Sequence, residues 1–131
     1  VADMYFKVLL FMKRRPGMSM AEFMDYYENS HSKLGEKYSQ GVVRYIRRYL
    51  EPQRSGETGC TDELAYDVVT ELWFKDEAIY RGLVQYLSTS VMPDDVVTDE
   101  AKLFDRSSIR FATIIEREST PEALGLTVAP G

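Results

Sequence analysis

The chain has 131 residues and a mass of 15.1 kDa, enough for one domain with its own core and too little for two. Its 44% hydrophobic and 28% charged residues are the mix of a water-soluble globular domain, and no apolar run approaches the ~18 residues of a membrane span. A net charge of -5 and a pI near 4.9 argue against a partner such as nucleic acid, which is held by a basic field.

In chain order, residues 5–12, YFKVLLFM, are rich in aromatic and β-branched types and stop at Lys-Arg-Arg-Pro-Gly, which predicts a first strand. Ser19 and Glu22 then form the S-x-x-E capping box of a helix start. From there Met20, Phe23, Met24, Tyr27, His31 and Leu34 recur at spacings of three and four and share one inward stripe, with Gly35 or Gly41 as the stop. Residues 42–50, VVRYIRRYL, predict a second strand with Val43, Tyr45, Arg47 and Tyr49 on one face and Arg44, Ile46 and Arg48 on the other. Arginines on both faces suit an edge position. The Pro, Gly, Ser and Thr of residues 51–64 predict a long mobile connection, able to act as a lid.

A third strand, from about Tyr66 to Phe74, sets Asp67, Val69, Glu71 and Trp73 against an apolar face of Val68, Thr70, Leu72 and Phe74 that belongs under the helices. Asp76 can cap a second helix with a buried stripe of Ile79, Leu83, Tyr86 and Leu87. A short helical stretch runs from Met92-Pro93-Asp94 to Phe104, and residues 108–116, SIRFATIIE, predict a fourth strand. The expected organisation is one domain over residues 1–116 and a flexible or arm-like tail over 117–131. The order strand, helix, strand, strand, helix, strand is that of an α+β, ferredoxin-like βαββαβ fold with a four-stranded antiparallel sheet. Such a sheet carries helices on one face, and a homodimer would cover the other.

Cys60 is the one cysteine, and no charged-then-apolar leader is visible at the start given, so a cytoplasmic location is expected. His31 is the one histidine, the residue type that changes charge near neutral pH, and is the natural group for moving a proton on a bound substrate. Glu71 or Asp67 could orient its ring, and Tyr45 could donate to a developing enolate or phenolate oxygen. Glu71 reads equally as a pocket acid or as an ion pair with Arg47, while Arg47 could instead hold a substrate carboxylate in its fork. Phe11, Tyr27, Tyr45, Tyr49 and Trp73 could line a site for a small aromatic or hydrophobic ligand. Glu28 and His31 have the E-x-x-H spacing of di-iron helices, but one histidine per chain does not support a metal site. No phosphate-cradling, nicotinamide or nucleophile-elbow motif occurs.

The segments LLFMKRRPGMSMAEFMDYYENSHSKL, VVRYI, YDVVTELWF and DEAKLFDRSS resemble the EthD family, a branch of the dimeric α/β-barrel superfamily, over about residues 6–116. The resemblance implies a homodimeric fold that works without a cofactor. Its relatives include polyketide decarboxylases and cyclases, muconolactone-type isomerases, quinone-forming monooxygenases and members with no assigned reaction. In methylmuconolactone-isomerase-like relatives a histidine ending the first helix and a tyrosine on the second strand line the pocket, positions that match His31 and Tyr45. The cysteine those isomerases carry on a later strand has no counterpart, since Cys60 falls in the 51–64 loop. The expectation is an enzyme that moves protons on a small aromatic or polyketide-like compound as a decarboxylase, cyclase or isomerase. The alternatives are a non-catalytic ligand-binding dimer and a cofactor-free monooxygenase.

Overall fold

Why the chain alternates as it does is visible at its first turn. Pro16 and Gly17, the latter at φ +84°, end the first strand, and the Ser19–Glu22 box is closed reciprocally: Ser19 Oγ accepts from the Glu22 amide at 3.1 Å and Glu22 Oε1 from the Ser19 amide at 3.3 Å. The computed structural model describes residues 5–38, 41–89 and 94–127, apart from the side chains of 87–89. The elements are β1 (Phe6–Arg14), α1 (Met20–Tyr26), a π-helical turn (Tyr27–His31), α2 (Ser32–Tyr38), β2 (Val42–Tyr49), β3 (Val68–Phe74), α3 (Glu77–Thr89), α4 (Asp94–Leu103) and β4 (Phe104–Thr113). The sheet order is β2-β3-β1-β4 with every pair antiparallel, the ferredoxin-like α+β arrangement.

Strand alternation assigns the two faces. Val8, Leu10 and Met12 of β1 pair with Leu72, Thr70 and Val68 of β3, and these in turn meet Tyr45, Arg47 and Tyr49 of β2. This is the face under the helices. Its core of Met12, Phe23, Tyr27, Val68, Leu103 and Phe104 is buried, so helix and sheet are held by the apolar area that their contact removes from water. The other face carries Leu9, Phe11, Ile46, Val69 and Trp73 among Lys7, Glu71, Arg44 and Arg48, with no helix of the described residues upon it. Trp73 is clasped there, with Lys7 Nζ 4.4 Å and the Arg44 guanidinium 4.5 Å from its ring centre.

Several bounds differ from the sequence reading. The first helix runs through Gly35 to Tyr38, and the chain turns at Gly41, at φ +82°. β4 begins at Phe104 rather than Ser108, because a register shift between Phe11 and Lys13 lets the polar Asp105–Ser108 stretch stay paired with β1. In α3 Tyr80, not Ile79, makes the sheet contact, its ring 5.2 Å from Phe6 and 5.4 Å from Phe74, while Ile79 and Tyr86 are exposed. The expected burial of Leu87 lies outside the described residues. No helix among the described residues is long and apolar enough to cross a membrane.

Candidate functional site

The π-turn in the middle of the first helix sets the geometry. The amide of Ser32 bonds back to the carbonyl of Tyr27, five residues earlier, while its own Oγ donates to the carbonyl of Glu28 at 2.7 Å. That hydroxyl takes the acceptor an α-helical amide would have used, which stabilises the wider turn. Polar side chains leave the turn toward both edges of the sheet: His31 and Ser30 toward α4, which leads into β4, and Glu28 toward β2.

On the α4 side the centre is Asp99, 7% exposed beside His31 at 9%. Its carboxylate accepts from Tyr26 Oη at 2.5 Å, from Ser30 Oγ at 3.2 Å and from His31 Nδ1 at 3.0 Å. A carboxylate only accepts, so its bond to Nδ1 places a ring proton there, and it is the neutral form of the ring in which Nε2 keeps its lone pair. Nε2 has no hydrogen-bond partner among the described residues and is not sealed from solvent. The ring itself is wedged edge-on between Tyr27 and Phe104, each with its centroid 5.2 Å away. The Asp99 bond, with burial, pushes the Tyr26 phenol up from its ordinary value. Burial likewise raises the neighbouring Glu100 carboxyl, against the pull of His31 and Arg106.

On the β2 side Arg47 meets Glu28 as a fork, Nε to Oε2 at 2.9 Å and Nη2 to Oε1 at 2.7 Å, and Tyr49 Oη donates to the same Oε2 at 2.5 Å. These bonds, Arg47 foremost, hold Glu28 at about 2, well below its ordinary 4.5. Tyr27 joins the two sides: its ring touches His31, and its hydroxyl shares a 2.7 Å bond with Thr70 Oγ1 and accepts from Tyr45 Oη at 3.4 Å. Burial raises the phenols of Tyr27, Tyr45 and Tyr49, so all three are neutral donors at physiological pH.

The residues singled out from sequence therefore fall into groups. Tyr27, His31, Tyr45, Arg47 and Tyr49 gather beneath the first helix. Phe11, Glu71 and Trp73 lie on the opposite face of the sheet, where Glu71 accepts from Trp73 Nε1 at 2.5 Å and has Arg48 at 3.6 Å. The register explains the split, since Arg47 pairs with Thr70 and it is Ile46 that stands opposite Glu71. Asp67 sits at the sheet's end, where its Oδ2 accepts from the Arg14 amide at 2.9 Å and lies 3.5 Å from Lys13 Nζ. Neither Glu71 nor Asp67 orients His31; Asp99 does. Sequence reasoning missed Asp99, although an acid at three- and four-residue spacing between Val96 and Leu103 is a signal, because that stripe faces inward. Glu28 and His31 diverge to Arg47 and Asp99, and no cluster of three or more metal-ligating side chains occurs among the described residues. Surface clefts of about 400 and 220 Å³ open at Tyr5–Lys7 with Ile114, and at Glu36 with Val42–Tyr45; His31 lines neither.

The EthD domain family matches residues 15–107. Among curated proteins none matches the chain in sequence. Among solved structures, an EthD family protein from Bacillus halodurans is similar, at 17% identity and a TM-score of 0.52, covering 87% of this chain and 100% of its own. At3g17210 from Arabidopsis thaliana is similar at 10% identity and a TM-score of 0.51, over 88% of this chain and 98% of its own. A cofactor-independent oxygenase from Streptomyces nogalater, SnoaB, aligns at 13% identity over 89% and 96% with a TM-score of 0.41. Likeness at these identities is likeness of fold.

Proposed function

This chain belongs to the EthD family, and from that premise we propose that it is a cofactor-independent enzyme in which His31 moves a proton on a small aromatic or polyketide-like compound, in a decarboxylation, cyclisation or isomerisation. The observation that carries the reading is the Asp99–His31 pair with Nε2 left open. With the proton on Nδ1 held by Asp99, Nε2 can take a proton from carbon next to a carbonyl, or from a phenol. The carboxylate then faces the imidazolium that forms. Tyr45, a neutral phenol bonded only weakly at 3.4 Å, is the donor offered to a developing oxyanion. The open sheet face, with Leu9, Phe11, Ile46 and Val69 partly exposed, is covered in this reading by a second copy of the chain.

The test is a panel of aromatic β-keto acids, linear polyketide mimics and unsaturated lactones, incubated with the protein and followed by NMR in deuterated water. Turnover of one class that falls by about 10²–10⁴-fold in His31→Ala is the expected result. Full turnover by His31→Ala ends the proposal. A ligand that binds and returns unchanged and undeuterated identifies a binding protein instead, and oxygen uptake with an anthrone or hydroquinone identifies a monooxygenase. Sedimentation should give a dimer that Phe11→Glu dissociates.

A further inference from the structure

The β2 side of the first helix contains a carboxylate receptor whose occupant is the chain's own Glu28. Arg47 and Tyr49 supply three donors that converge on one carboxylate, in the two-pronged geometry by which guanidinium recognises that group. The donors and the acceptor are not equivalent. Arg47 is anchored in the sheet, its side chain 20% exposed, its Nη1 on the Tyr45 carbonyl at 3.4 Å and its guanidinium 4.8 Å from the centre of the Tyr45 ring. The Glu28 side chain is 42% exposed and comes from the outer layer. Turning Glu28 about its own side-chain torsions returns its charge to water and leaves the fork and the Tyr49 hydroxyl in place, aimed at a vacated position.

Two further features point the same way. Glu28 lies in the π-turn, a stretch of helix whose backbone bonding differs from its surroundings and which is found disproportionately at functional sites. Tyr45, against which Arg47 lies, also lines the 220 Å³ cleft along the β2 edge with Glu36, Val42, Val43 and Arg44, so the ring that backs the fork also borders open space.

We propose that Arg47, Tyr49 and Tyr45 form a latched binding site for a small aromatic carboxylate, in which the ligand's carboxylate replaces that of Glu28 and its ring lies along Tyr45. Glu28 is the latch: it competes intramolecularly, sets a threshold for occupancy and keeps the guanidinium neutralised when the site holds no ligand. The site shares Tyr45 with the proposed chemistry but does not require proton transfer at His31, which bonds Asp99 of α4 rather than any residue of β2.

The probes are benzoate, salicylate and the uncharged benzamide, titrated into the full chain by calorimetry and by NMR. Glu28→Ala should bind benzoate at least about tenfold more tightly than the native chain, with Glu28→Gln between them. Arg47→Met should abolish benzoate binding in either background, benzamide should show no dependence on residue 28, and His31→Ala should bind benzoate as the native chain does. Equal benzoate affinity in the native chain and in both Glu28 variants overturns the latch. Benzoate binding that survives Arg47→Met, or benzamide binding as tight as benzoate, overturns the receptor. If Glu28→Ala does not fold, the isosteric Glu28→Gln decides, since it removes the competing charge and retains the shape.

Discussion

Replacing Asp99 tests the arrangement around His31 most directly. The carboxylate is one-tenth exposed and accepts from Tyr26, Ser30 and His31. A hydrogen bond to a charged acceptor contributes about 1.5–3 kcal/mol, but Tyr26 and Ser30 are only half-buried and can recover water. The three losses are therefore not additive, and Asp99→Ala should cost about 3 kcal/mol, most of it from His31 and Tyr26. Asp99→Asn keeps the volume and one acceptor oxygen and should cost about 2 kcal/mol, within the stability of a domain this size. Urea unfolding gives these numbers. A second reading comes from the ¹⁵N resonances of the imidazole, which need no assignment because the chain has a single histidine. In the native chain the neutral ring should carry its proton on Nδ1, and Asp99→Asn should shift the population toward Nε2–H. A native ring protonated on Nε2, or a tautomer indifferent to Asp99→Asn, would refute the orientation on which the proposed chemistry rests.

The Glu28–Arg47 pair should register in acid. A folded-state value near 2, depressed from 4.5, means stability present in full above the ordinary value and lost as the pH falls from 4.5 toward 2. Because Glu28 is partly exposed, solvent screening reduces that contribution to about 1 kcal/mol, so Glu28→Gln should lower the urea midpoint at pH 7 and converge with the native chain only as the pH approaches about 2. An unchanging gap would contradict the assignment. Gly35→Ala would place a Cβ 2.5 Å from Tyr45 Oη and 2.8 Å from its ring; despite about 1 kcal/mol of helix propensity gained, the melting temperature should fall, and Tyr45→Leu should relieve the penalty in the double variant. Thr70→Val leaves the Tyr27 hydroxyl, 2% exposed, with only its long bond from Tyr45 and should cost about 1–2 kcal/mol by urea unfolding, whereas an effect under ~0.5 kcal/mol would mean that the Thr70 bond is dispensable.

Local chemistry made the frame readable. The capping box, the strand alternation of VVTELWF and the arginines on both faces of VVRYIRRY each carry their geometric meaning within a few residues, and β2 is indeed an edge strand. The site was less readable, because its decisive contacts are long-range. His31 meets an acid 68 positions away, and among 21 acidic residues nothing adjacent to His31 singles that one out. Glu71 and Arg47 were plausible partners on neighbouring strands, but a pairing offset by one residue puts them on opposite faces, and the relative register of two strands is fixed by the fold as a whole. The α3 stripe misled for a related reason: which side of that helix turns inward depends on the seat beside Phe6 and Phe74, which Tyr80 fills.

The widened turn at Tyr27–His31 also means that the first helix contains, in effect, one residue too many for its length. Deleting a residue from an ordinary helix swings everything beyond it about a third of the way round the axis. Here the excision of one residue, Asn29 for example, would remove an irregularity and extend the regular bonding. The shortened helix would keep its capping box and its packing on the sheet while re-aiming His31 relative to Asp99. A single-codon deletion should in this way yield a chain that folds as well as its parent and meets Asp99 differently at His31, so that length, rather than composition, sets the geometry at this position.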